Sequence, residues 1–434
     1  MYNKFPCPYF VNTIMQNFNP NSSLLPSYTY PINPYVATQP NQNMIPITPL
    51  SPGIQKWIHE PSNNVGLLGD FNASYNGFPY SVDPNVEIVI KGQFPYARYL
   101  SFGVIGKADL TIATIPDYKL IPDPGSTNPF WPGADWNSKK RNYTLKIRFT
   151  APPAGAEHFV PGAGNNIVYA GTMPSGVPNT QGTISLRIYV PSIGYDETGG
   201  VGFPEIRYFP ASRDERYSNK VEPTNQATFV KSLKPKNNTL QNEQYYFSHE
   251  KTCEENCDLS WSTLSRASAL IQYDYNDAYI LSNELVRDPS KLLLLRWKAP
   301  TFPDTYHNIG IVGNEDMRYW SMSFVSPVGL VGLYSLADFE TVIDKNGYVN
   351  LVISFGTPRP SFVTTKNGYN WIDASHLPLI PLQLFYRNKI VSEDFPYTAK
   401  GLQPGHIVSP EIMGEYYPCG KYVDPDNFKK YYCH

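Results

Sequence analysis

Two arginine–aspartate spacings stand out as residues that could do chemistry. Arg98 opens the run Arg98-Tyr99-Leu100-Ser101-Phe102, and Asp117 follows in Ile115-Pro116-Asp117-Tyr118. Arg318 opens Arg318-Tyr319-Trp320-Ser321-Met322, and Asp338 follows in Leu336-Ala337-Asp338-Phe339. A planar guanidinium facing a carboxylate makes a bidentate pair, and an arginine at a pocket mouth grips a ligand carboxylate or a sugar hydroxyl. The sequence therefore supports two readings. In one, each Arg and Asp line a ligand site. In the other, each pair braces two strands inside or at the rim of its own sandwich, and recurs because the domain recurs. The bracing reading is favoured, because a working site rarely survives unchanged in both copies of a duplication. Trp320 and Trp371 join the candidate ligand set as stacking platforms for a sugar ring, with Trp131 and Trp136 as further exposed aromatics.

Other constellations are weaker. Cys253 and Cys257 lie close in sequence, as do Cys419 and Cys433, while Cys7 stands alone. Local disulfides 253–257 and 419–433, bridges between the two pairs, free buried thiols and a zinc site all remain open, the last least favoured because structural zinc sites usually have tighter Cys pairs. The seven histidines are scattered without metal-ligand spacing. No Gly-x-Ser-x-Gly elbow is present. Gly199-Gly200-Val201-Gly202 leads to Pro204 rather than into a helix, so it lacks the usual phosphate cradle. No catalytic residue, metal or cofactor is expected. Sequons at Asn21, Asn72, Asn142 and Asn237 permit glycosylation and are also expected by chance in so Asn-rich a chain.

The elements that must position these residues read as β throughout. The chain of 434 residues holds 42 prolines, 33 tyrosines and 30 glycines with only 17% charged residues. That proline load forbids long helices, and the aromatics suit pleated, half-buried surfaces. Val86-Glu87-Ile88-Val89-Ile90-Lys91, Arg98 to Ile105, Tyr143 to Phe149 and Thr183 to Val190 are strand-like runs. Leu292 to Trp297, Arg318 to Val325, Tyr348 to Ser354 and Leu379 to Arg387 repeat them in the same order. The expected architecture is all-β: two tandem jelly-roll-like sandwiches with an extended N-terminal arm. The arm covers residues 1–50 and the first sandwich 51–210. Residues 211–290 form a linker with a short helix near Ser260 to Leu270, and the second sandwich with a Cys-containing tail covers 291–434.

The second copy, through Arg318-Tyr319-Trp320-Ser321, Asp344-Lys345-Asn346-Gly347-Tyr348, Asn370-Trp371 and Phe385-Tyr386-Arg387, resembles an uncharacterised β-sandwich family of bacteria and large viruses, the domain of unknown function numbered twelve-fourteen. The likeness spans residues 290–395 and, more loosely, 85–195, where Leu100 replaces the Trp and the Asn-Trp step is missing. The resemblance implies a tandem jelly roll and carries over no catalytic residues.

With 35 basic against 37 acidic residues, no charge footprint for nucleic acid is visible. No apolar run is long enough to span a membrane as a helix, and the first twenty-odd residues lack the apolar core of a secretory signal. The expected role is a noncatalytic structural or interaction protein that packs into an assembly such as a virus particle, surface layer or fibre, as a homo-oligomer or through its arm. A virion or extracellular surface fits better than the cytoplasm. The alternative is a carbohydrate- or small-ligand-binding protein or enzyme with a pocket in the second sandwich.

Overall fold

The computed structural model describes residues 57–60, 68–107, 110–155, 157–173, 176–211, 257–264, 274 and 276–431. The expected arm therefore lies outside the described residues, as do Cys7, Cys253 and Cys433. The fold is an all-β arrangement of two sandwiches.

The first half runs β1 (Ile58–Glu60), β2 (Ala73–Ser81), β3 (Val86–Gln93), β4 (Ala97–Gly106), β5 (Thr111–Pro116), β6 (Asn142–Arg148), β7 (Phe159–Val160), β8 (Asn166–Tyr169), β9 (Gln181–Pro191) and β10 (Glu205–Pro210). These strands form one sheet in the order β1-β2-β9-β4-β5 and a second in the order β10-β3-β6-β8-β7. The second half runs β11 (Trp261–Thr263), β12 (Asp277–Ser282), β13 (Leu292–Lys298), β14 (Met317–Ser326), β15 (Val331–Ala337), β16 (Tyr348–Ser354), β17 (Asn370–Asp373), β18 (Gln383–Val391), β19 (Ile407–Val408) and β20 (Cys419–Val423). Its sheets are β15-β14-β18-β12-β11-β19 and β17-β16-β13-β20. Trp261–Thr263 is thus a strand and not the start of a helix, and the expected linker already contains two strands of the second sandwich.

Strand order repeats between the halves: β2-β9-β4-β5 runs as β12-β18-β14-β15, and β10-β3-β6-β8 as β20-β13-β16-β17. Each half carries one parallel pair, β6 with β8 and β16 with β17. Each also carries one bulge at the same place, between Val104 and Ile105 and between Phe324 and Val325. The Trp57 indole donates to the Pro204 carbonyl at 2.7 Å, and the Trp261 indole to the Pro418 carbonyl at 2.9 Å. Each bond ties the first strand of its half to the approach to the last. Asn370, in the Asn-Trp step, bonds both backbone groups of Val342, and Asn166 does the same at Ile121. The first half therefore has half of the step: its asparagine is Asn166, and Ile167 stands where Trp371 does.

The sandwich cores follow the two-residue alternation of strands. Leu100, Phe102 and Val104 of β4 enter a core with Ile88, Ile90, Leu145 and Ile147 of the facing sheet. Trp320, Met322 and Phe324 of β14 do so with Leu293, Leu295, Leu351 and Ile353. All ten residues of β4 and all ten of β14 are buried, which one core alone cannot explain. Their other faces meet between the sandwiches, where Tyr99, Tyr189 and Tyr319 pack with Ala73 and Ala337.

Cys257 and Cys419 form a disulfide that ties the entry to β11 to the first residue of β20, with a Cα–Cα distance of 5.4 Å. A bridge between the two sequence pairs is thus what forms. The local pairings 253–257 and 419–433 are excluded because each would need a cysteine already bonded elsewhere.

Candidate functional site

The sequence places each arginine beside the aspartate of its own copy. The structure pairs them across the two halves. Arg98 Nη1 donates to Asp338 Oδ1 at 2.9 Å and Oδ2 at 2.8 Å, and its Nε to Thr305 Oγ1 at 2.7 Å. Arg318 Nη1 reaches Asp117 Oδ1 at 3.2 Å, and its Nη2 reaches the Phe130 carbonyl at 3.3 Å. Each guanidinium also touches the other arginine's backbone carbonyl, at 3.4 and 3.5 Å. The reason is positional: β4 and β14 begin side by side, so an arginine leaving one strand arrives at the turn after its neighbour's hairpin. Each aspartate still serves its own half by accepting a backbone N–H, Asp117 from Leu100 at 2.8 Å and Asp338 from Trp320 at 3.1 Å.

Arg98, Asp117 and Asp338 are essentially inaccessible, and Arg318 is only 7% exposed. Phe302 lies 5.0 Å below the Arg98 guanidinium and Phe130 5.6 Å below that of Arg318, adding cation–π attraction in place of water. Burial pushes the Asp117 and Asp338 carboxyls up to about 6 against the pull of Arg318 and Arg98, respectively. Both remain ionised at neutral pH.

Two further carboxylates complete the region. Asp70, just before β2, crosses to the second half: it accepts from Tyr319 Oη at 2.8 Å, Ser321 Oγ at 2.6 Å and Arg387 Nη1 at 2.5 Å. Asp274, before β12, crosses the opposite way, accepting from Tyr99 Oη at 2.8 Å and lying 3.4 Å from Arg187 Nη1. Burial alone would raise both carboxyls. Arg387 with the Ser321 hydroxyl holds Asp70 below its ordinary range instead, and Lys389 with Arg187 does the same for Asp274. Both loops close alike: the Asn72 and Asn276 N–H groups donate to the Asp side chain, and their carbonyls accept from Val190 and Ile390. Val190 and Ile390 take φ of +47° and +46°, a left-handed conformation that β-branched residues rarely hold without surrounding restraint.

Sequence reasoning missed Asp70, Asp274, Arg187 and Arg387. A signal was available: Asp70-Phe71-Asn72-Ala73-Ser74-Tyr75 and Asp274-Tyr275-Asn276-Asp277-Ala278-Tyr279 share an Asp-aromatic-Asn start and a tyrosine at the sixth place. Trp320 is no sugar platform. It is wholly buried, donates to the Pro300 carbonyl at 3.0 Å and packs edge-on against Trp297, Phe302 and Tyr386. Trp136 is likewise buried, and the Trp131 indole bonds the Tyr118 carbonyl. Trp371, on β17, keeps partial exposure beneath the Arg359 guanidinium and packs against a separate cluster with Val352 and Val363, not with the Arg/Asp groups.

Chemically the region is a closed polar seam in which cations and carboxylates pair with one another between two hydrophobic cores, with Arg98 Nη2 and Arg387 Nε left buried without a hydrogen-bond partner. Outside it, a surface hollow of about 140 Å³ is lined by Val89, Lys91, Glu205, Arg207 and Phe209. That is well below the size of ordinary ligand pockets. Among the described residues, no cluster of three metal-ligating side chains occurs, and no helix is long and apolar enough to cross a membrane.

No family model matches the chain, and no curated protein matches it. Among solved structures, an uncharacterised protein from Burkholderia cenocepacia is similar at a TM-score of 0.46 and 12% identity, over 85% of this chain and 81% of that one. A protein from Vibrio parahaemolyticus is similar at 0.38 and 12%, over 79% and 90%.

Proposed function

We propose that this chain is a noncatalytic structural or interaction protein, a rigid two-sandwich block that packs into a larger assembly. The observation that carries the reading is the reciprocal pairing of Arg98 with Asp338 and Arg318 with Asp117. The groups best suited to grip a ligand are buried and paired with each other across the seam. Their work is to fix the orientation of one sandwich on the other, which a building block needs and a flexible two-domain binder does not. A tandem duplication of one sandwich is the simplest origin for paired contacts of this kind, and kinship of the second half with the uncharacterised sandwich family belongs to the same proposal.

The arm of residues 1–50 is the segment proposed to reach a neighbouring copy, by strand addition or by lying across its surface. Light scattering on the full chain and on a chain lacking residues 1–50 tests this. An oligomer that weakens on deletion is expected; a monomer in both forms would overturn the assembly reading. The alternative, a ligand pocket in the second sandwich, now rests on Trp371, and a glycan array on the same preparations addresses it.

A further inference from the structure

One cation of the seam has a different setting from the arginines. Lys389 on β18 and Asp277 on β12 are directly opposed in the antiparallel ladder. Lys389 Nζ lies 2.5 Å from Asp277 Oδ1 and 3.0 Å from Asp274 Oδ2. The other oxygen of Asp277, Oδ2, accepts from the Tyr279 hydroxyl. Nζ sits 4.3 Å from the centre of the Tyr99 ring and 4.5 Å from that of Tyr189. Side-chain exposure is 0% for Lys389 and Asp277 and 2% for Asp274. An amine, a carboxyl carbon and a second carboxylate are thus held together in a water-poor, aromatic-walled site.

We propose that Lys389 and Asp277 condense into an intramolecular isopeptide bond that covalently joins β18 to β12, with Asp274 carrying the proton. Asp274 takes a proton from the Lys389 ammonium, and the freed amine attacks the Asp277 carboxyl carbon. Tyr279 donates its hydroxyl to Oδ2 as negative charge gathers there. The attacking nitrogen passes one of its protons to Oδ1 and Asp274 returns the other, the Cγ–Oδ1 bond breaks with Oδ1 leaving as water, and an Nζ–Cγ amide remains. One ammonium and one carboxylate become one amide and one water, so atoms and charge balance without any co-reactant.

Three physical points support the step. Holding amine and carboxyl at contact distance substitutes for an effective concentration on the order of 10⁵ M or more in well-oriented intramolecular reactions. Burial disfavours a separated ion pair and leaves little water to reverse the amide. The two carboxyls are driven apart in acidity: burial and neighbouring Asp274 push Asp277 up to about 6 against the pull of Lys389, while Lys389 and Arg187 overcome burial to hold Asp274 low. That separation makes Asp277 the more readily protonated of the two, hence the better electrophile, and keeps Asp274 ionised and open to a proton.

The first half provides an internal comparison. Its equivalent loop keeps the acid as Asp70, but Ala73 and Tyr189 occupy the opposed ladder positions. The turn and the seam therefore form without a Lys–Asp pair. The two reactive groups are an addition peculiar to the second half, placed where the shared carboxylate already stands.

The test is mass spectrometry of the full chain, reduced and fully denatured, followed by peptide mapping. The expected result is a mass lower than the sequence by one water, with a branched peptide joining the β12 and β18 segments. Unbranched peptides carrying Asp277 and Lys389 separately would overturn the proposal, including a case where water is lost as a cyclic imide. Asp274→Ala keeps both reactive groups and is expected to restore the full mass. If that variant cross-links as completely as the parent, the proton-carrying role falls; if it does not fold, the parent's peptide map still decides.

Discussion

The Arg98–Asp338 contact gives a prediction whose two arms differ in sign with pH. Removing one member of a buried, hydrogen-bonded ion pair costs about 3–5 kcal/mol, because the survivor keeps its charge without water or partner. Asp338→Ala strands the Arg98 guanidinium, which cannot shed its proton at any working pH. Its cost should therefore be about 3–5 kcal/mol at pH 8 and grow toward pH 5, where the parent's Asp338, raised to about 6, adds stability by binding a proton that the variant cannot bind. Arg98→Met strands a carboxyl instead, one that burial already pushes up to about 6 from an ordinary 3.8 with Arg98 opposing. Without the arginine it rises further, so the stranded group accepts a proton in mild acid and the cost shrinks toward pH 5. The pair Arg98→Met with Asp338→Leu should recover most of the loss. Urea unfolding of the two single variants and the double variant at both pH values measures this, and coincident fluorescence and circular dichroism transitions license the free energies. The reasoning fails if the coupling between Arg98 and Asp117, the partner suggested by sequence, exceeds that between Arg98 and Asp338.

Three other outcomes follow from the same structure. Asp117, raised to about 6 in the folded chain, contributes stability that is present below about 4 and lost as pH rises through about 6, so Asp117→Asn should flatten that part of the stability profile. Asp70 and Asp274, both held low, contribute in the opposite sense and should drive the fall in stability under stronger acid. Cys257→Ser opens a covalent loop spanning 162 residues, for which chain entropy predicts about 5 kcal/mol and measured disulfides more often give about 2–4 kcal/mol. A thermal shift that matches reduction of the parent protein would confirm that the disulfide carries it.

How much was legible in the sequence depended on the range of the interaction. Strands such as Tyr143 to Phe149 and Tyr348 to Ser354 declared themselves, because alternation and flanking turns are local properties. The repeated Arg-Tyr and Asp motifs were visible for the same reason. Their pairing was not: Arg98 lies 240 residues from Asp338, and spacing along one copy carries no information about which copy's aspartate arrives beside it. Trp320 misled in a related way, since a tryptophan on a strand has the same sequence context whether it faces solvent or a second sheet. The region 211–290 read as linker because its charge and Asn content hide two short strands, Trp261–Thr263 and Asp277–Ser282, which pair with each other and with strands more than a hundred residues further on. Asp70 and Asp274 could have been found by aligning the copies over their first strands rather than from the arginines onward.

The central claim is that the Arg/Asp seam joins two sandwiches into one mechanical unit rather than lining a site. Differential scanning calorimetry of the full chain tests it most directly. The account predicts one transition for both halves, with calorimetric and van't Hoff enthalpies in agreement. It also predicts that Asp338→Ala splits or broadens that transition. Two well-separated transitions in the parent protein, unaffected by Asp338→Ala, would contradict it.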